Sequence, residues 1–159
     1  MELTKKEKIV GIILAILLLF VTVSSTLYFL GKLKVSVLDW VSFNSCAPTS
    51  LLYLCLFIIF LIKKETSLLV ITFLPTYFLG TMGMFVMPWT EANIPVHIGH
   101  IIMTLNLIWI LYVTLRYANY KSLAIGLLIS IIAFVPYVGY VLSYNQAHAA
   151  EIAKLFQQH

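Results

Sequence analysis

Long apolar runs separated by short polar breaks set the plan of this chain. They cover residues 9 to 30, 67 to 89, 97 to 117 and 121 to 144. Each reaches the roughly 20 residues that a helix rising ~1.5 Å per residue needs to cross ~30 Å of hydrocarbon. A fifth, shorter run covers 49 to 62 and follows Cys46-Ala47-Pro48. Proline suits a first helical turn there, and the stems of Lys63 and Lys64 can lie back along the other end, so 47 to 62 is counted as a span. The pattern predicts an all-α integral membrane fold: one domain, 1 to 159, forming a bundle of five transmembrane helices, with residues 145 to 159 as a short tail.

The breaks carry their own information. Residues 63 to 66 and 117 to 121 are short connections, which predicts one antiparallel hairpin from spans two and three and another from spans four and five. The stretch 31 to 48 is longer, and its Val35, Val37, Leu38, Trp40, Val41 and Phe43 are too apolar for a free loop. It is expected to lie in the interface or to dip into the bundle, where protein groups must satisfy its backbone. Pro75 and Pro136 are expected to kink their helices, and Gly80 and Gly83 to permit close helix contact. In the tail, Ala149, Ile152, Ala153 and Phe156 share a helical face, which predicts a weakly amphipathic helix. His148 and His159 read there as solvated.

Composition agrees with the pattern. Of 159 residues, 62% are hydrophobic and only 10% charged, more apolar surface than a water-soluble domain of this size can hide. Lys5, Lys6 and Lys8 before the first run also fit a secretory signal, but apolar residues continue through Leu30. That exceeds the ~7 to 15 residues of a signal core, so the run reads as a retained helix.

The net charge of +4 is absorbed by topology. With alternating sides, Lys5, Lys6, Lys8, Lys63, Lys64, Arg116 and Lys121 fall on one side and Lys32, Lys34 and Lys154 on the other, seven against three. This predicts a cytoplasmic N-terminus and an outer C-terminus in the cell membrane. Trp40 and Trp89 would then sit at the outer interface, and Tyr112, Tyr117 and Tyr120 at the inner one. The expected partners are the lipid bilayer and other membrane subunits, with no nucleic acid. Charge inside spans one, two, three and five is absent by this reading, which argues against a proton pump or an ion-coupled transporter.

Candidate chemistry gathers at the outer end. Asp39, Asn44, Trp89, Glu91, Asn93 and His97 are candidate ligand-binding residues, joined by Met82, Met84 and Met87. His97 and His100 stand three apart and share a helix face. With further ligands from Glu91, Asp39 or Cys46 they form a candidate metal set, His97, His100 and Glu91 first, for zinc by ligand type, or for copper if the methionine thioethers take part. The plainer alternative is the wet end of a hairpin with methionines as packing. His100, one turn deeper, is expected to be hydrogen-bonded within the bundle, and His97 to be wetter.

Cys46 and Cys55 would lie ~13 Å apart on one helix, beyond disulfide reach. Cys55 reads as packing within its span. Cys46 opens the helix, where a thiolate is favoured, and a histidine across the bundle can act as its base. Cys46 at a short second span, the basic turn Lys63-Lys64, Gly80 and Pro88 in and after the third span, and His100 opening the next before Tyr112 resemble the YwaF-like membrane proteins. Relatives of these act as lipid acyl hydrolases or acyltransferases. The resemblance covers about residues 43 to 145. It implies Cys46 as nucleophile and His100, or else His97, as base, although Phe43-Asn44-Ser45 lacks a histidine before the cysteine and the chain has five spans where that family has six or more. Two functions therefore follow from the sequence: a non-catalytic component that binds a ligand, lipid or metal at an outward polar pocket or serves as an accessory subunit, and a Cys–His enzyme acting on lipid acyl groups.

Overall fold

The computed structural model describes residues 2 to 117 and 120 to 157, and the described residues form helices and connections without strands. Helix α1, Lys5–Thr26, begins where Thr4 and Glu7 cap each other: Glu7 N–H donates to Thr4 Oγ1 at 3.3 Å, and Thr4 N–H donates to Glu7 Oε2 at 2.8 Å. This reciprocal cap moves the helix start ahead of the apolar run. The helix continues as a wider π-helical segment, Leu27–Lys32. Helix α2, Val37–Phe43, follows, capped in the same way by Ser36 and Asp39.

Helix α3, Cys46–Lys63, ends on Lys64 in the left-handed conformation, φ 58°. Helix α4, Ser67–Val86, is irregular as its proline requires: after Pro75 the backbone widens into a π-helical stretch, Thr76–Thr81. It ends at Val86 rather than 89, because Met87 precedes a proline and is extended, φ −85°, ψ 134°. A 3₁₀ turn, Glu91–Asn93, leads into α5, Ile94–Arg116, with Pro95 in its first turn. Helix α6, Tyr120–Ala147, runs unbroken through Pro136, and α7 is Ala149–Gln157. The tail is thus helical, and His159 lies outside the described residues. Five helices, within Lys5–Lys32, Cys46–Lys63, Ser67–Val86, Ile94–Arg116 and Tyr120–Ala147, are long and apolar enough to cross a membrane.

Helix α1 packs on α3 and α5, and α4 packs on α3, α5 and α6. The core joins Leu18 of α1, Tyr53, Phe57 and Phe60 of α3, Leu69 of α4, and Trp109, Ile110 and Val113 of α5. Trp109 meets Phe57 edge to face, with ring centroids 5.5 Å apart and planes at 70°, a favoured arrangement of ring quadrupoles.

The pairing of spans four and five is a correction. Among the described residues, α6 packs on α4 and α2 instead of along α5. Gly126 explains the choice: a Cβ there would lie 2.6 Å from Val70 Cβ and 2.8 Å from the Ser67 carbonyl oxygen. The missing side chain lets α6 press onto α4.

The connection between α1 and α3 is satisfied by protein, as its apolar content required. Tyr137 Oη donates to the Val41 carbonyl and Asn145 Nδ2 to the Ser42 carbonyl, both at 3.1 Å. Trp40 is therefore buried and not at an exposed interface. Cys55, expected in packing, faces outward.

Candidate functional site

The stretch from Met87 to His97 is organised by a single carbonyl. Met87-Pro88 breaks the chain out of α4, and the Pro88 oxygen, left without a helical partner, accepts from Thr90 N–H at 3.1 Å and Asn93 Nδ2 at 2.9 Å, with His97 Nε2 at 3.2 Å. A carbonyl only accepts, so His97 donates to it through Nε2, and the other ring nitrogen is Nδ1. That Nδ1 is buried and has no partner.

Trp89 closes this turn. Its indole lies on the His97 ring, centroids 3.8 Å apart and planes within 3°, while Nε1 donates to the Met84 carbonyl at 3.1 Å. The consequence reverses the expected order of wetness. His97 is only 1% exposed and His100 6%, whereas Trp89 is 66% exposed. The indole takes the exposed position and shields the imidazole beneath it.

One turn further, His100 faces α4. A Cβ on Gly83 would fall 2.4 Å from His100 Cε1, so the glycine is what lets the ring fit between the helices. Gly80 does the same for Met103, whose Cε would be 2.9 Å from its Cβ. The ring has the hydrogen bond within the bundle expected for it, to the backbone of Gly80, while Nδ1 is buried without a partner. Thr104, on the same face, donates to the His100 carbonyl at 2.8 Å and has Met84 Sδ 4.0 Å away. The α4–α5 seam therefore holds two buried imidazoles, each with an unpartnered Nδ1, and the Met84 thioether lies against Thr104 on the same seam.

The other predicted site residues go elsewhere. Glu91 is exposed, and among the described residues no three His, Cys, Asp or Glu side chains converge as metal ligands. The His97, His100 and Glu91 set is not assembled, because the 3₁₀ turn carries Glu91 outward while the histidines point into the seam. Asn93 builds the turn. Cys46 donates its thiol hydrogen to Asn44 Oδ1 at 3.0 Å, and Asn44 Nδ2 donates to Ser25 Oγ of α1 at 2.8 Å. Among the described residues no hydrogen bond joins Cys46 to a histidine.

Asp39 ties the α1–α3 connection to the far end of α6. Beyond its cap with Ser36, it accepts from Tyr144 Oη at 2.9 Å. The Ser36 hydroxyl first, then the Tyr144 hydroxyl, hold its carboxyl below the ordinary carboxylate range, outweighing the opposing effect of partial burial. His148 is not merely solvated: its ring stacks on Tyr144 at 4.1 Å.

Sequence reasoning missed a second polar cluster at the opposite end. Glu7 is 6% exposed and accepts from Thr4 Oγ1 at 2.7 Å and Tyr117 Oη at 2.9 Å. Arg116 pairs with its other oxygen, and Trp109 Nε1 donates to its carbonyl at 3.1 Å. The available signal was Thr4-x-x-Glu7, a capping box ahead of an apolar run.

No family model, curated protein or solved structure matches the chain. The likeness to the YwaF-like proteins rests on the residues that suggested it.

Proposed function

We propose that this is a non-catalytic, multi-pass membrane protein, with a cytoplasmic N-terminus and an outer C-terminus, that binds a small ligand at the α4–α5 seam. One observation carries the reading: His97 and His100 are buried and each leaves Nδ1 without a partner. Leaving a polar atom buried and unmade costs ~1 to 3 kcal/mol, and native structures satisfy nearly all such atoms. Something that presents a donor or an open coordination position to these nitrogens would remove that cost.

The donors define the ligand class. Two imidazoles and the Met84 thioether, with no carboxylate or thiolate converging on them among the described residues, suit a soft cation such as Cu(I) better than Zn(II). Trp89 lies over the entrance to His97, so binding must displace or reorient the indole.

The test is spectroscopic. Protein in detergent is titrated with Cu(I) and with Zn(II), and Trp89 emission is obtained by subtracting the signal of Trp89→Phe. Saturable change with Cu(I), weaker with Zn(II) and lost in His100→Ala, is expected. An unchanged Trp89 signal with both ions would reduce the histidines to helix packing. Orientation is tested separately, by labelling single cysteines at the two ends in intact cells, with only the C-terminal one reacting.

A further inference from the structure

A groove of about 210 Å³ runs between α3, α4 and α6, away from the histidines, walled by Pro48, Leu52, Pro75, Ser130, Ala133 and Tyr137 among others. Its origin is in the helices themselves. Helix α6 is drawn onto α4 at Gly126 and held to the α1–α3 connection by Tyr137. Between those anchors the wall carries the small Ala133, opposite the irregular stretch that begins at Pro75.

The lining is apolar but for three hydroxyls, those of Thr49, Ser130 and Tyr137. Ser130 is 1% exposed and its hydroxyl has no partner. Hydroxyls in helices usually bond back to the carbonyl four residues earlier. Thr49 and Ser50 on the facing helix do so, to Ser45 and Cys46 at 2.9 Å each. Tyr137 Oη is taken by Val41. Ser130 thus brings a free donor to an apolar groove about half-way along α6.

We infer that this groove binds a membrane-dissolved ring ketone or quinone, whose ring fills the space and whose carbonyl oxygen accepts from Ser130 Oγ. The volume fits: an apolar cavity of ~150 Å³ takes up benzene and stays dry otherwise, so this groove has room for one substituted ring. The flanking residues favour entry from hydrocarbon, since Leu52, Ile129 and Ile132 are exposed and apolar. A plain acyl chain would fill the space yet leave the donor unmade. The inference is independent of the histidine site.

The probe is a benzophenone bearing a short alkyl chain, an aryl ketone that inserts into nearby C–H bonds on irradiation. With full-length protein in detergent, saturable labelling is expected in Cys46–Lys63 and Tyr120–Ala147, competed by decylubiquinone. Ser130→Ala is expected to weaken half-saturation about tenfold, the factor a neutral hydrogen bond of ordinary strength is worth, and Ser130→Thr to retain most of it. Ala133→Trp, filling the groove, should abolish labelling; its thermal unfolding is compared with the wild type, and if it fails to fold the Ser130 pair decides alone. Labelling that is unsaturable and spread over all exposed apolar faces would overturn the inference. So would competition by phospholipid equally in the wild type and Ser130→Ala, which would mean an acyl-chain groove.

Discussion

Arg116, in the last turn of α5, holds Glu7, in the first turn of α1, with Nη1 2.8 Å from Oε1. The two residues are 109 positions apart in sequence, so the contact fixes the beginning of the bundle to its fourth long helix. Tyr117 and Thr4 complete the carboxylate's hydrogen bonds. The arrangement serves assembly, since every contact of Glu7 runs to its own cap or to α5.

Removing one partner should therefore cost more than removing both. Arg116→Ala leaves a buried carboxylate with less compensation, and Glu7→Gln keeps the cap but drops the charge. Thermal unfolding in detergent is expected to show a lower midpoint for Arg116→Ala than for the double variant. Equal midpoints for the wild type and Arg116→Ala would mean that the ion pair contributes nothing.

The histidine seam makes a prediction about volume. Gly83→Ala would place a methyl group 2.4 Å from His100 Cε1, and overpacking of this kind costs ~1 to 3 kcal/mol. Gly31→Ala is the control, because nothing lies within 4 Å of its Cβ position. Its effect should stay within ~0.5 kcal/mol. Chemical or thermal unfolding of the two variants checks both.

The helices were legible in the sequence because crossing hydrocarbon demands length and apolarity, and both are written locally. The break at Pro75 and the satisfied connection before α3 were also legible, since each follows from a local chemical constraint. The partners of α6 were not. A short connection predicted α5, but the contact is chosen by Gly126 against Val70, a shape match that no local pattern encodes. The candidate site divided in the same way. His97 and His100 share a face because of their spacing, whereas the shielding of His97 depends on where Pro88 sends Trp89. Glu91 was read as a ligand from nearness in sequence, and the 3₁₀ turn points it to solvent.

Trp89 should behave as a removable cover. Trp89→Ala is expected to change stability by less than ~1 kcal/mol, since the indole is largely exposed and loses little burial. It should nevertheless open His97 to diethyl pyrocarbonate while His100, enclosed by α4, reacts as slowly as before. Peptide mapping of the modified histidines distinguishes them. Equal reactivity of His97 with and without Trp89 would show that the indole does not shield it.

Acid should release α2 from α6. The Asp39 carboxyl is held below its ordinary value of 3.8 by the Ser36 hydroxyl and then by Tyr144. A carboxyl with a depressed folded value contributes stability that is fully present above its unfolded value and lost as pH falls through the folded one. Protection of the backbone amides of residues 37 to 43 from hydrogen exchange should thus hold steady from neutral pH down to about 4, the ordinary carboxylate value, and decline below it. Asp39→Ala should lower protection at every pH, because it removes half of the capping box and the Tyr144 contact together, with cap loss alone typically worth ~1 kcal/mol. Ser36→Ala, which removes the largest cause of the depression, should move the acid decline upward in pH. A pH-independent protection pattern shared by the wild type and Asp39→Ala would show that the connection is held by Tyr137, Asn145 and apolar packing without the carboxylate.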